Sequence, residues 1–194
     1  NNIRRNKNDI DLNRDHLLLK SEETQFIQKY FNEFDPHMLV DIHEYYPYGE
    51  DWYEFGYLKN FDIQLGGPTN INIDSGIREF YKYTALPYVD EKFEESEYSF
   101  FEYTLGFLPE GERLRHSTVD INDGRQSTGI TNILSFIVEG KNGKDSIDKI
   151  RRRAESQLLT ITALNELAYQ NKSKIMQLVR TGREETEHFN DSSE

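Results

Sequence analysis

The 194-residue chain contains no cysteine and few methionine, tryptophan or proline residues. Without cysteine, the 194 residues can form no disulfide, no thiolate zinc site and no cysteine nucleophile. The absence of cysteine does not indicate a redox compartment. No apolar run approaches the roughly 20 residues that a membrane-spanning helix requires. The sequence thus predicts no membrane span and gives no indication of a cellular location.

Positive charge is also scarce, since 23 lysines and arginines face 35 aspartates and glutamates, for a net charge of −12. A nucleic-acid site needs clustered basic residues, so the charge argues against nucleic acid as a partner. Anionic membranes are disfavoured for the same reason. The acid excess favours solubility and does not by itself identify a substrate.

Aromatic residues are abundant, with twelve tyrosines and twelve phenylalanines, and hydrophobic residues make up 36% of the sequence. This number of large rings is not typical of a disordered chain, and the length suits one domain with a sizeable core. We expect one domain over residues 1–181. The acidic, polar residues 182–194 are predicted to be a frayed tail.

The first regular elements are a helix and a strand joined by a tight turn. Ser21 followed by two glutamates predicts a helix N-cap, and apolar residues then recur at helical spacing until Asp35 and Pro36 end the helix. Residues 38–42 read as a short buried strand, which delivers His43 to its carboxyl end with Asp41 and Glu44 on either side. A helix that leads directly into a strand is typical of a mostly parallel sheet.

A second buried strand is predicted at residues 133–138, the most apolar run of the chain, and it presents Glu139 at its carboxyl end. A long helix follows from about Lys144, with Ile147, Ile150 and Leu158 among its predicted core residues. The segments between the two strands are predicted as a long loop at 45–67, a helix at 72–95 broken near Pro87, a strand at 98–105 and a polar segment at 113–132.

His43 and Glu139 are the residues best placed for chemistry, because ligands of open α/β sheets bind outside the carboxyl ends of the strands. A neutral imidazole there is a common zinc ligand, and a carboxylate there can act as a base. We therefore expect the two side chains to face one another across a cleft. Taken singly, a histidine such as His43 is usually structural, and a glutamate at a strand end such as Glu139 is more often a solvated residue in a turn.

Three segments in a fixed order carry a family resemblance. Residues 11–15 read Asp-Leu-Asn-Arg-Asp, residues 41–44 Asp-Ile-His-Glu and residues 136–139 Phe-Ile-Val-Glu. The chain from Asp11 to about Tyr169 resembles the zinc metallocarboxypeptidases of bacterial type. The resemblance implies an α/β fold of the phosphorylase/hydrolase type, with a mixed, mainly parallel sheet and helices on both faces. It also implies that this is the carboxyl-terminal part of the catalytic domain, with the amino-terminal part missing.

The resemblance also implies residue roles. His43 would bind zinc, and Glu139 would take a proton from the zinc-activated water that attacks the carbonyl carbon. Arg14, helped by Asn13, would hold the terminal carboxylate of the substrate, while an ion pair with Asp11 or Asp15 is the structural alternative for Arg14. Arg125, just before the second strand, is a further candidate for substrate contact.

Two features depart from the family. Its other two zinc ligands form a His-x-x-Glu motif upstream of the Asn-Arg segment, and no such motif precedes Asn13 here. The tyrosine of the family's substrate loop is also missing from residues 124–129, which leaves the preferred terminal residue undefined.

The implied function is zinc-dependent hydrolysis of a carboxyl-terminal peptide or amide bond. One alternative is a deacylase that acts on acyl-amino acids. The other is a relative that has lost the metal and binds a peptide or glycan through the aromatic loop at residues 45–57.

Overall fold

The computed structural model describes residues 4–47, 59–105 and 115–191, with side chains described through residue 188. Four strands and six α-helices are present in these ranges, together with a 3₁₀ turn at Leu12–Arg14 and a π-helical turn at Tyr81–Ala85. The strands are β1 (Met38–Tyr45), β2 (Ile63–Gly66), β3 (Phe100–Glu102) and β4 (Leu134–Lys141). The helices are α1 (Glu22–Phe34), α2 (Ser75–Phe80), α3 (Leu86–Glu94), α4 (Gly124–Gly129), α5 (Ile150–Gln170) and α6 (Lys172–Asp191).

The strands form one sheet in the order β1-β4-β2-β3. The pairs β1/β4 and β2/β3 are parallel, and β4 and β2 are antiparallel where the two pairs join. The predicted α/β class with a mixed, mostly parallel sheet is confirmed. None of the helices in the described ranges is long and apolar enough to cross a membrane.

Helices cover both faces of the sheet. On one face α4 lies so close to β4 that a Cβ at Gly129 would overlap the Ser135 hydroxyl. On the other face Gly140 lies equally close to Gln157 of α5. This second face carries the main core, in which β4 contributes Leu134, Phe136 and Val138, β2 contributes Ile63 and Leu65, and α5 and α6 contribute Ala163, Leu164, Leu167, Ile175 and Val179.

The first helix and strand form as predicted, and the strand is longer. The Ser21 hydroxyl accepts from the amides of Glu23 and Thr24, and Asp35 ends α1 in the left-handed region at φ 45°. Strand β1 continues to Tyr45, three residues beyond the prediction, because β4 pairs with it residue by residue as far as Lys141. His43 therefore lies within the paired part of the strand.

The predicted loop at 45–67 is wrong at its end, because β2 lies there and occupies the centre of the sheet. The strand has only four residues, and one of them is the fully buried polar residue Gln64, so it has no apolar run that a pattern could detect. Residues 48–58, which include most of the predicted aromatic loop, lie outside the described residues. The predicted strand at 98–105 is real but shorter, at Phe100–Glu102.

The predicted helix at 72–95 does not break at Pro87. A π-helical turn precedes this proline, which lies in the first turn of α3. Proline is tolerated there because the first amides of a helical segment need no partner within it. The extra residue of the π-helical turn changes the helical register. Tyr83, which lies within this turn, is 69% exposed.

Helix α5 begins at Ile150, six residues after the predicted start, and Ile147, Ile150 and Leu158 are exposed rather than in the core. The last helix, α6, continues to Asp191, although residues from 182 onward were predicted to fray. Asn132 explains the order of this segment, because its amide donates to the Gly182 carbonyl at 2.8 Å and to the Thr186 hydroxyl at 2.9 Å.

Candidate functional site

His43 and Glu139 are direct cross-strand neighbours in the parallel pair of β1 and β4. Glu139 in turn lies opposite Gln64 of β2, so one row of three residues crosses the sheet. Adjacent strands lie about 4.8 Å apart, and side chains alternate between the faces with a period of two. His43 and Glu139 therefore share the face that α4 covers, which confirms the predicted closeness of the two residues.

Asp41 orients the His43 ring. Its Oδ1 atom lies 3.0 Å from His43 Nε2, and the two residues share a face because they are two apart in β1. The hydrogen bond that His43 donates to the Asp41 carboxylate raises the pKa of His43 against the opposing effect of burial. With Nε2 directed at a carboxylate, Nδ1 is the ring nitrogen available to a metal, an arrangement common in metal-binding histidines.

Glu139 is partly buried, and its Oε2 atom has no hydrogen-bond partner among the described residues. Burial raises the pKa of this carboxyl group above the usual range, while the nearby positive charges of His43 and Lys59 act in the opposite direction. A raised pKa makes this carboxylate a stronger proton acceptor than an ordinary solvated glutamate. Its environment thus suits a general base, the role predicted for it.

Asn13 and Arg14 lie in the 3₁₀ turn, which Asp11 caps. The Asn13 side chain accepts from the Gly124 amide at 3.2 Å and so ties the turn to the start of α4. Arg14 is exposed, and its Nη1 atom donates to the Asn13 carbonyl at 2.7 Å.

The alternative ion pairs of Arg14 do not form. Asp11 pairs with Arg4, and Asp15 accepts from Ser21 and Thr24 at the start of α1. The Arg14 guanidinium group is therefore available to a carboxylate from outside.

Arg125 is only 1% exposed and lies in the first turn of α4. Its Nη2 atom donates to the Ser117 hydroxyl, and Asp123 is 3.8 Å away, beyond hydrogen-bond distance. Nε and Nη1 have no partner in the part of the chain that the structure describes. The segment at 113–132 was predicted only as a polar segment, and in the structure Asp123 caps the helix that carries Arg125.

One cavity of about 620 Å³ joins all five predicted residues, because its lining includes Asn13, Arg14, His43, Arg125 and Glu139. The sequence predicted that His43 and Glu139 face one another, but nothing in the residue spacing showed that Asn13, Arg14 and Arg125 line the same cavity. The topology brings them together, since β1 and β4 are neighbours and both the 3₁₀ turn and α4 lie over their shared face.

Lys59 and Tyr103 also line the cavity, although no pattern in the sequence indicated them. Lys59 Nζ donates to the Thr104 carbonyl at 2.9 Å and lies 5.7 Å from the centre of the Tyr103 ring. Burial lowers the pKa of Lys59 and raises that of Tyr103 to about 12. Neither residue belongs to a motif, so only their positions around Glu139 reveal them.

The residues present do not complete a zinc site. In the described ranges no three histidine, aspartate or glutamate side chains are grouped so that they could hold a metal ion. A catalytic zinc site requires three protein ligands. His43, oriented by Asp41, has the chemistry of one ligand, and the other two would have to come from elsewhere.

The chain is similar to proteins named carboxypeptidase 2. It is 27% identical to that of Trichophyton rubrum over 179 residues, and 25% identical to those of Trichophyton tonsurans and Trichophyton equinum. Each comparison covers 89% of this chain and 32% of the relative, so the chain spans about a third of the length of the relatives. No family model matches the chain, and no solved structure does. These similarities support a carboxypeptidase-like relationship and peptide hydrolysis in general.

Proposed function

We propose that the protein is a zinc-dependent carboxypeptidase that hydrolyses a carboxyl-terminal peptide or amide bond. The observation that carries this proposal is the cross-strand pair of His43 and Glu139 beside one cavity that Arg14 also lines. A metal ligand, a base and a carboxylate-binding cation are the parts that such a reaction needs. The similarity to carboxypeptidases supports the same reaction class.

Substrate binding is assigned to the 3₁₀ turn. The exposed guanidinium group of Arg14 can hold both oxygens of a terminal carboxylate at once, and Asn13 fixes the turn against α4. Arg125 lies deeper in the same cavity and is assigned a second substrate contact. A substrate held by its carboxyl end would place its last amide bond within the cavity.

Proton transfer is assigned to Glu139. A bound zinc ion would supply a water molecule of lowered pKa. Glu139 would accept a proton from the attacking water and donate it to the nitrogen of the leaving amino acid. Burial favours this second step because it raises the pKa of the carboxyl group.

Zinc is proposed as the cofactor, with His43 as one ligand. Since the described residues contain no further grouped ligands, we propose that the other two form a His-x-x-Glu motif encoded ahead of Asn1. The encoded sequence ahead of Asn1 checks this proposal directly. A start codon at or just before Asn1 would overturn it.

Metal analysis of the purified full-length protein, combined with product analysis, tests the function. We expect close to one zinc per chain and release of the last amino acid from N-benzoyl-glycyl dipeptides. Release from N-acetyl amino acids instead would identify a deacylase. Absence of bound zinc together with binding of intact peptide would identify a non-catalytic relative.

A further inference from the structure

Arg125 is the largest fully buried side chain among the described residues. A buried guanidinium group is normally fully hydrogen-bonded and paired with a carboxylate, because an uncompensated buried charge is strongly unfavourable. Here Nε and Nη1 have no hydrogen-bond partner among the described residues. The Asp123 carboxylate lies 3.8 Å from Nη2, beyond hydrogen-bond distance. The Oδ1 atom of Asp123 accepts from the Gln126 amide at 2.7 Å, which keeps this carboxylate at the helix cap.

The guanidinium group lies under the cavity, one row below the catalytic pair. Its Nη1 atom is next to Gly66 and Ile137, which face each other across β2 and β4. Ile137 precedes Glu139 by two residues on the same face of β4, a separation of about 7 Å along the strand. The guanidinium group, beside Ile137, is thus displaced along β4 from Glu139 by about the length of an amino-acid side chain.

Two further residues shape this position. A Cβ at Gly66 would stand 2.9 Å from Nη1, so the absence of a side chain there makes the room that the guanidinium group occupies. On the other side the Tyr103 ring lies 5.6 Å from Arg125 Cζ, a cation–π distance. The group is held between these two neighbours, as a preformed binding site requires.

We propose that Arg125 binds the acidic side chain of the last substrate residue, so that the enzyme prefers glutamate or aspartate at the carboxyl end. This inference rests on the proposed function and adds the substrate class. Arg14, at the exposed rim, holds the α-carboxylate that every substrate has, whereas Arg125 offers its Nε and Nη1 atoms, which have no described partner, to a second carboxylate. A carboxylate there compensates the buried charge and accepts from the nitrogens that have no partner among the described residues.

Binding of two substrates that differ only in charge tests this inference. N-benzoyl-glycyl-glutamate and N-benzoyl-glycyl-glutamine would be titrated calorimetrically into the full-length Glu139→Gln variant, which keeps the cavity and suppresses turnover. We expect at least about tenfold tighter binding of the glutamate peptide, since hydrogen bonds between charged groups are the stronger kind. Equal affinities would overturn the inference and leave the proposed function standing. Failure of both peptides to bind would overturn both.

Variants then assign the preference to one residue. Adding Arg125→Gln should weaken binding of the glutamate peptide alone and so abolish the preference. Adding Arg14→Gln should weaken binding of both peptides and leave the ratio of their affinities unchanged. Arg183→Gln, which removes a surface charge paired with Asp35, is the matched control and should change neither. Equal weakening of both peptides by Arg125→Gln would overturn the inference, because Arg125 would then hold the shared α-carboxylate. If the Arg125→Gln variant does not fold, the ratio of the two peptide affinities measured with the Glu139→Gln protein still tests the preference for an acidic residue.

Discussion

The environment of Glu139 distinguishes it from the surface glutamates of the same chain. Burial raises its pKa, and its Oε2 atom has no described hydrogen-bond partner. Glu166, by contrast, is exposed and pairs with Lys92 at 3.1 Å, and the hydrogen bond from Lys92 lowers its pKa. The two residues therefore provide a matched pair for testing which glutamate takes part in the reaction.

Replacing Glu139 with glutamine should lower kcat at least about a hundredfold, because the amide keeps the shape of the side chain and loses the proton acceptor. Zinc content should remain that of the unmodified protein, since Glu139 is not a proposed ligand. Steady-state kinetics and metal analysis measure the two quantities, with Glu166→Gln as the control that should retain full activity. Near-normal turnover of Glu139→Gln with zinc bound would place the base elsewhere.

The His43→Ala variant should lose the zinc ion itself, because two remaining protein ligands hold the metal poorly. Atomic emission analysis of dialysed full-length protein measures the stoichiometry. His188→Ala, at an exposed position of α6, is the control and should bind zinc normally. Full zinc occupancy in His43→Ala would show that β1 carries no ligand.

At the scale of elements, α5 shows how a helix can be predicted correctly and its buried face incorrectly. Leu158 was a predicted core residue and is 62% exposed, while Leu164 is fully buried. The helix packs on β4, β2 and α3, and its buried side includes the polar residues Ser156 and Thr160, which an apolar pattern does not count.

Leu164→Ala should therefore lower the free energy of unfolding by about 2–5 kcal/mol, the range for a leucine truncated in a core. Leu158→Ala, in the same helix, should change it by no more than about 0.5 kcal/mol, as exposed positions do. Urea denaturation followed by circular dichroism measures both. Comparable losses in the two variants would contradict the packing of α5.

At the scale of the whole molecule, Asp62 connects three parts of the fold. It precedes β2, accepts two hydrogen bonds from Arg152 of α5 at 2.8 Å each, and accepts from the Ser99 amide and hydroxyl beside β3 at 2.9 Å each. Burial raises the pKa of Asp62, but these hydrogen bonds outweigh it and lower the pKa from 3.8 to about 2. Proton binding by this group is thus coupled to global unfolding.

Because the folded-state pKa is depressed, the stabilisation by Asp62 is fully present above pH 4 to 5 and is lost as the pH falls toward 2. The shift corresponds to about 2 kcal/mol of unfolding free energy. Denaturant unfolding between pH 6 and pH 2 measures this contribution as the difference in unfolding free energy between the unmodified protein and the Asp62→Asn variant. That difference should shrink by about 2 kcal/mol on acidification, and a difference independent of pH would refute the coupling.

Local signals in the sequence determined the helix α1 with its cap and the strands β1 and β4, and they made His43 and Glu139 candidates for chemistry. Each depends on neighbours within a few positions, such as the hydroxyl of Ser21 or the apolar run that ends at Glu139. Tertiary structure alone decided that β2 exists, that Leu158 faces solvent and that Arg125 is buried. The physical reason is that pairing partners, packing partners and burial come from residues distant in the chain, which no local pattern contains.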